Sequence, residues 1–270
     1  YYLPHMRWGA KYGGKSVIDG LEKDGLQDAY DHKAMGFSGD ATAEKYQISR
    51  EEQDRFAIQS YKRAAEATDS GQMSDEIVPV SIPQRKGDPI LMTADEEYKR
   101  VNFDKIPNLR PVFNKDGTVT AANASTINDG AAALVLVSEE KLSELGLTPV
   151  ARILSYADAA HEPQWFTTAP TLAAPKAAQR AGMDLNDIDF FEVNEAFAVV
   201  TLAFNKVLKV PEDKVNMFGG ACSLGHPLGA SGARIVVTLL NVLKNNEAKT
   251  GLATLCNGGG GASAVILESI

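Results

Sequence analysis

Cysteine is nearly absent from this 270-residue chain. Cys222 and Cys256 are the only two, too few for a disulfide framework, and no CxxC spacing is present to hold a metal. Histidine is also scarce, at four residues. No block of Lys and Arg occurs, and 27 Lys+Arg against 35 Asp+Glu leave a formal charge of −8. That balance argues against nucleic acid or an anionic membrane surface as the main partner. A polyanionic small molecule is still compatible, because it needs only a local basic patch. No apolar run reaches the roughly 20 residues that cross a bilayer. A reducing, soluble setting is expected from these absences. Tyr1-Tyr2-Leu3-Pro4 shows neither a charged n-region nor an Arg/Ser-rich transit pattern and reads like protein interior, which places any targeting signal upstream.

The chain does contain enough apolar sequence, 44%, for one large domain or two smaller ones. The first 115 or so residues are charged and irregular, like an insertion carried by something else. One helix is well signalled there, with Ser49 before Arg50-Glu51-Glu52-Gln53 and then Phe56, Ala57, Ile58 and Tyr61. Ile77-Val78-Pro79-Val80 reads as a short strand. Beyond Thr118 the texture changes. Asn128-Asp129-Gly130 leads into an apolar run, Ala131 to Val137, and Ser138 opens a short helix that Gly146 can stop. Strands are expected near 150–156, 188–193 and 214–218, and helices near 171–181, from Glu195, and from Pro227 to Leu243. Two last strands, near 251–256 and 262–268, should be antiparallel neighbours. This alternation predicts a layered α/β fold on a mixed sheet.

Three segments concentrate reactive side chains beside small residues. In Asn194-Glu195-Ala196-Phe197, at a strand-to-helix junction, Asn194 either caps the helix or orients a water or carbonyl. In the glycine-rich stretch Gly219 to Gly232, His226 lies between Gly225 and Pro227 at the expected mouth of the long helix. The positive end of the helix dipole would favour its neutral form. Cys222 in the same stretch reads as packing. In Cys256-Asn257-Gly258-Gly259-Gly260-Gly261, four glycines make a costly turn unless backbone N–H groups must face an oxyanion. Cys256 at the strand end can then move a proton.

Together, Asn194-Glu195-Ala196-Phe197, Gly225-His226-Pro227 with Gly229-Ala230-Ser231-Gly232, and Cys256 with its glycines resemble three of the four catalytic blocks of the thiolase family, in the family's order and near its spacing. The resemblance covers essentially all 270 residues and is strongest to the short-chain acetyl-CoA acetyltransferases of eukaryotic, fungal type. It implies a thiolase fold with layered α-β-α-β-α architecture and an irregular α+β loop domain. Residues 1–115 would be the loop domain for CoA binding and tetramerisation, 116–147 the last part of the N-terminal domain, and 148–270 the C-terminal domain. The family's nucleophilic Cys lies in a block upstream of Tyr1, so the chain is expected to be part of a longer enzyme.

The resemblance further implies ping-pong interconversion of two acetyl-CoA with acetoacetyl-CoA and CoA, feeding mevalonate and sterol synthesis. His226 would activate the nucleophile and bind the thioester oxygen, Asn194 would hold a water there, Cys256 would move the α-carbon proton, and the Gly258 N–H would serve a second oxyanion hole. Coenzyme A would meet Arg100, Val101, Asn102, Lys105 and Ser125, with Met35, Phe197 and Tyr61 near the acyl and pantetheine groups. A potassium ion would be held by Tyr61 and the carbonyls of Ala121, Ala122, Ala124 and Cys222; no covalent cofactor is implied. A homotetramer, as a dimer of dimers, is expected, with no nucleic-acid or membrane partner. The expected compartment is the cytoplasm, with the mitochondrial matrix as the alternative. Broader-chain 3-ketoacyl-CoA thiolase and a non-catalytic CoA-binding relative stay open, whereas Cys256 in place of a second His disfavours a β-ketoacyl synthase. Gly39-Asp40 departs from the more usual Ala-Glu, Ala34-Met35-Gly36 from His-Met-Gly, and His161 is assigned no catalytic role.

Overall fold

The computed structural model describes residues 1–270. The first 35 residues are largely irregular and are tied by two isolated bridges, Tyr2 with Ile18 and Gln27 with Ala34. Helix α1 (Gly36–Tyr46) ends at Gln47 in the left-handed region. Helix α2 (Arg50–Asp69) starts with the capping box expected from its sequence: the Ser49 hydroxyl accepts from Glu52 N at 3.1 Å, and the Glu52 carboxylate accepts from Ser49 N at 2.6 Å. It buries one face, including Phe56, Ser60, Tyr61 and Ala64. Strands β1 (Val80–Ile82) and β2 (Ile90–Met92) form a separate antiparallel ribbon. The strand read at 77–80 is displaced to begin at Val80, since Pro79 has no N–H for a ladder. Helix α3 (Glu139–Leu145) runs from the Ser138 cap to left-handed Gly146.

From β3 (Ala151–Ala160) onward the chain alternates: α4 (Pro170–Ala181), β4 (Phe190–Val193), α5 (Ala198–Leu208), α6 (Ala221–Leu224), α7 (Ser231–Asn245), β5 (Thr250–Asn257) and β6 (Gly261–Ser269). The sheet order is β3-β6-β5-β4, with β4 and β5 parallel and the other pairs antiparallel. Successive residues face opposite sides of a strand. Leu252 and Ile266 accordingly join the large core with α4 and α5, while Ala253 and Leu267 pack with Ile235, Leu239 and Leu243 of α7. The sheet is therefore sandwiched between helices, as a mixed α/β layer.

Three expected elements are corrected. The helix read from Glu195 begins at Ala198, and its N-cap position belongs to Phe197. The strand read at 214–218 is a single parallel bridge, Phe191 with Val215, ended by Asn216 at φ 51°. The long helix starts at Ser231, because residues 227–230 form a turn in which Ala230 N and Ser231 N both bond to Pro227 O.

Candidate active site

The parallel pair β4–β5 sets the site. Val193 lies opposite Thr254, and the chain beyond Val193 stays in register, Asn194 N donating to Thr254 O at 3.0 Å. Asn194 and Cys256 thus emerge at the same carboxyl end of two adjacent parallel strands, where α/β sheets commonly bind ligands.

Asn194 is fully buried, and its side chain does not cap α5. Its amide Nδ2 lies 3.3 Å from His226 Nε2, and His226 Nδ1 lies 2.6 Å from Ser231 Oγ, which donates to Pro227 O at 3.1 Å. With Nδ2 donating, Nε2 is the acceptor and the ring proton sits on Nδ1, so a neutral imidazole satisfies every donor. Burial, and secondarily the Arg234 guanidinium, push the His226 pKa down to about 4. The neutral form expected from the sequence is present, but its cause is burial; a turn separates His226 from α7. Asn194 Oδ1 is buried without a partner, an acceptor free for a water or substrate group.

Cys256, 7% exposed, has its thiol pushed up to about 12 by burial, so it is a protonated donor at neutral pH. Gly258, Gly260 and Gly261 are crowded, while Gly259 faces open space at φ 86°. A β-carbon on Gly258 would lie 2.5 Å from the Met35 methyl, and one on Gly260 would lie 2.1 Å from the His161 carbonyl oxygen. Met35 and the Gly258 backbone are thus brought together. His161 also receives an indirect role, since its N–H donates to Gly260 O at 3.0 Å and holds the tract.

A residue quoted in the sequence but given no role there builds the wall behind His226. Glu195, completely buried, accepts from Ser60 Oγ at 2.7 Å, Asn216 Nδ2 at 2.8 Å and Cys222 N at 3.0 Å. Gly39 and Asp40 also gain an account: the Asp40 carboxylate takes the N–H groups of Thr118 at 2.7 Å and Val119 at 2.9 Å. Ser231, five residues after His226 in the small-residue run, was the most accessible of the missed signals.

The remaining assigned residues are more dispersed. Ser125 bonds Ala196 O at 2.9 Å, next to Asn194 and Phe197, and Phe197 stacks edge-on to Phe113. Arg100, Asn102 and Lys105 are exposed and Val101 is half-buried; Arg100 lies 3.7 Å from Glu96 and 3.5 Å from Glu97. Tyr61 is buried edge-on to Phe103, with its phenol pKa driven up by burial. Cys222 is buried, its sulfur 3.8 Å from the carbonyls of Asn123 and Glu195, so the packing reading of its side chain holds. The carbonyls of Ala121, Ala122, Ala124 and Cys222 receive no backbone hydrogen bond from loops or turns.

The thiolase N-terminal domain family matches residues 1–140 and the thiolase C-terminal domain family residues 147–269. The chain belongs to the thiolase family. A probable acetyl-CoA acetyltransferase of Dictyostelium discoideum is 55% identical over the whole chain, which covers 65% of that relative. A cytosolic acetyl-CoA acetyltransferase of Gibberella zeae is 52% identical, with 68% of it covered. The crystal structure of Acat5 thiolase from Ascaris suum in complex with coenzyme A superposes with a TM-score of 0.92 at 47% identity, with all of this chain and 68% of that one covered. The chain thus spans about two thirds of the length of the relatives it matches.

Proposed function

We propose that this chain is the larger part of an acetyl-CoA C-acetyltransferase that interconverts two acetyl-CoA with acetoacetyl-CoA and CoA. The observation that carries the reading is the convergence of Asn194, His226 and Cys256 at the carboxyl ends of β4 and β5, with Asn194 bonded to His226. Neither Cys222 nor Cys256 matches the family's nucleophile block, so the reading assigns the nucleophilic sulfur to residues other than these two.

In thiolysis the nucleophile's thiol gives its proton to His226 Nε2 as the sulfur attacks the keto carbon of acetoacetyl-CoA. The carbonyl oxygen becomes an oxyanion near His226 and the water held by Asn194. The C–C bond then breaks; the electron pair stays on the departing α-carbon, which takes the Cys256 proton and leaves as acetyl-CoA. The thiolate left on Cys256 takes the proton of CoA, whose sulfur attacks the acetyl-enzyme; the second acetyl-CoA forms as the enzyme sulfur leaves and recovers its proton from His226. The N–H of Gly258 faces the second oxyanion. Each such donor contributes about 3–4 kcal/mol, and placed proton transfer roughly 10²–10⁴-fold.

CoA binding falls to Arg100, Val101, Asn102, Lys105 and Ser125, with Tyr61 beside them. Residues 1–115, 116–147 and 148–270 serve as loop, N-terminal and C-terminal portions. Potassium fits the oxygen set of Tyr61 and the carbonyls of Ala121, Ala122, Ala124 and Cys222, since those carbonyls are unclaimed and oxygen ligands suit a hard cation. The ion would supply loop ordering only. A homotetramer completes the reading, and its placement in the cytoplasm is supported by the relative named cytosolic.

Turnover of acetoacetyl-CoA and of 3-ketooctanoyl-CoA by the full-length protein tests the reading. Strong preference for the short substrate is expected, with Met35 and Phe197 closing the acyl pocket. Equal turnover of both would assign the protein to the broader-chain 3-ketoacyl-CoA thiolases, and turnover of neither would make it a CoA-binding relative.

A further inference from the structure

Behind the His226–Asn194 pair lies a buried carboxyl–guanidinium contact that the mechanism above does not use; burial, against the pull of Arg234, pushes the pKa of the Glu192 carboxyl up to about 8. Glu192, on β4 two residues before Asn194, is 1% exposed, and its Oε2 sits 3.4 Å from Nη1 of Arg234. Arg234 lies on the first turn of α7, three residues after Ser231, the partner of His226. These contacts close a ring. From Asn194 it passes through His226 to Ser231, along α7 to Arg234, across to Glu192, and back along β4 to Asn194. The same guanidinium is 3.5 Å from Thr238 Oγ1, which donates to Glu76 at 3.2 Å, and Asn241 donates to Glu76 at 3.2 Å. Glu76 and Asp95, from the segment after α2, and Glu192, from β4, are the acidic groups whose charges act on Arg234.

We propose that Glu192 and Arg234 are positioning residues that fix the Asn194–His226 hydrogen bond. The inference rests on the catalytic roles assigned above to His226 and Asn194. β4 and α7 already pack through Phe190 against Ile235, Leu239 and Leu243, and the Glu192–Arg234 contact adds a polar tie nearer the His226 end of both elements. A guanidinium held one turn from Ser231 also disfavours a second positive charge on His226, in line with the direction of its pKa. A wholly structural contact would stabilise the fold without setting the protonation of the imidazole.

Arg234→Met, Arg234→Lys and the neutral pair Glu192→Gln/Arg234→Met distinguish the two in the full-length protein. Removing one partner of a buried pair strands a charge, whereas removing both commonly preserves folding. Arg234→Met should lower kcat at least tenfold, leave the KM for CoA within twofold, and move the acid limb of the kcat/KM profile to higher pH. Arg234→Lys should keep the acid limb at its wild-type position. The double variant should fold with wild-type circular dichroism and retain the loss in kcat. If Arg234→Met does not fold, the double variant decides: wild-type kcat in it overturns the proposal. A wild-type acid limb in folded Arg234→Met also overturns it. Should His226→Ala turn over acetoacetyl-CoA at the wild-type rate, the reading of the site falls instead.

Discussion

Gly220 packs so closely on Glu195 that a β-carbon there would lie 2.3 Å from the carboxylate carbon. The buried carboxylate joins α2, the Asn216 turn and α6, and Gly220 is the opening through which it reaches them. Gly220→Ala should therefore push Glu195 off its partners and destabilise the protein by about 1–3 kcal/mol, the usual range for overpacking. Urea denaturation checks this; an unchanged midpoint would mean that the wall behind His226 is softer than its contacts suggest.

His226→Ala in the full-length protein should abolish both thiolysis and condensation while leaving the fold intact, because both half-reactions pass through the imidazole. Retention of more than about a tenth of the rate would remove it from the mechanism. The same residue gives a pH signature. Its pKa is about 4 folded, against 6.5 for the unperturbed group. Between those values the unfolded chain binds more protons, so His226's contribution is present above pH 6.5 and lost as pH falls towards 4. His226→Ala should flatten the stability profile in that window, as read by denaturation at stepped pH.

Cys256→Ser or Cys256→Ala should separate the steps. Acylation of the nucleophile from acetyl-CoA should survive better than steady-state condensation, since Cys256 is assigned to the α-carbon proton. Rapid-quench measurement of the acyl-enzyme reads this directly. An equal fall in both rates would reject the role.

Exchanging potassium for sodium at matched ionic strength should raise the apparent KM for CoA and lower the melting temperature, because a ligand of the folded state adds stability by mass action. Tyr61→Phe should remove most of that response. Identical CoA affinity and melting temperature in the two salts would refute the ion.

Much of this was legible in the sequence. Ser49 and Glu52 announced α2, Gly146 its stop signal for α3, and the last two strands their antiparallel pairing, because these depend on neighbours a few residues away. His226 and Cys256 were legible as rare side chains beside or near glycine, and Asn194 as an amide at a strand-to-helix junction. What failed were local rules overridden by distant contacts. Asn194 looked like a helix cap, yet its amide goes to His226, and Pro227 looked like a helix start, yet α7 waits until Ser231. The roles of Glu195 and Arg234 were invisible because their partners lie far along the chain.

That remoteness carries over to how the molecule comes together. Ser60 and Glu195, bonded at 2.7 Å, are separated by 135 positions, and closing so long a loop precedes any reward from the contact. The wall behind His226 is thus a late product of folding, formed after α2 and the β5–β6 hairpin have taken shape from near neighbours. Nascent or proteolysed chains short of β5 would have helices but no catalytic surface, so activity should recover on refolding more slowly than helical signal.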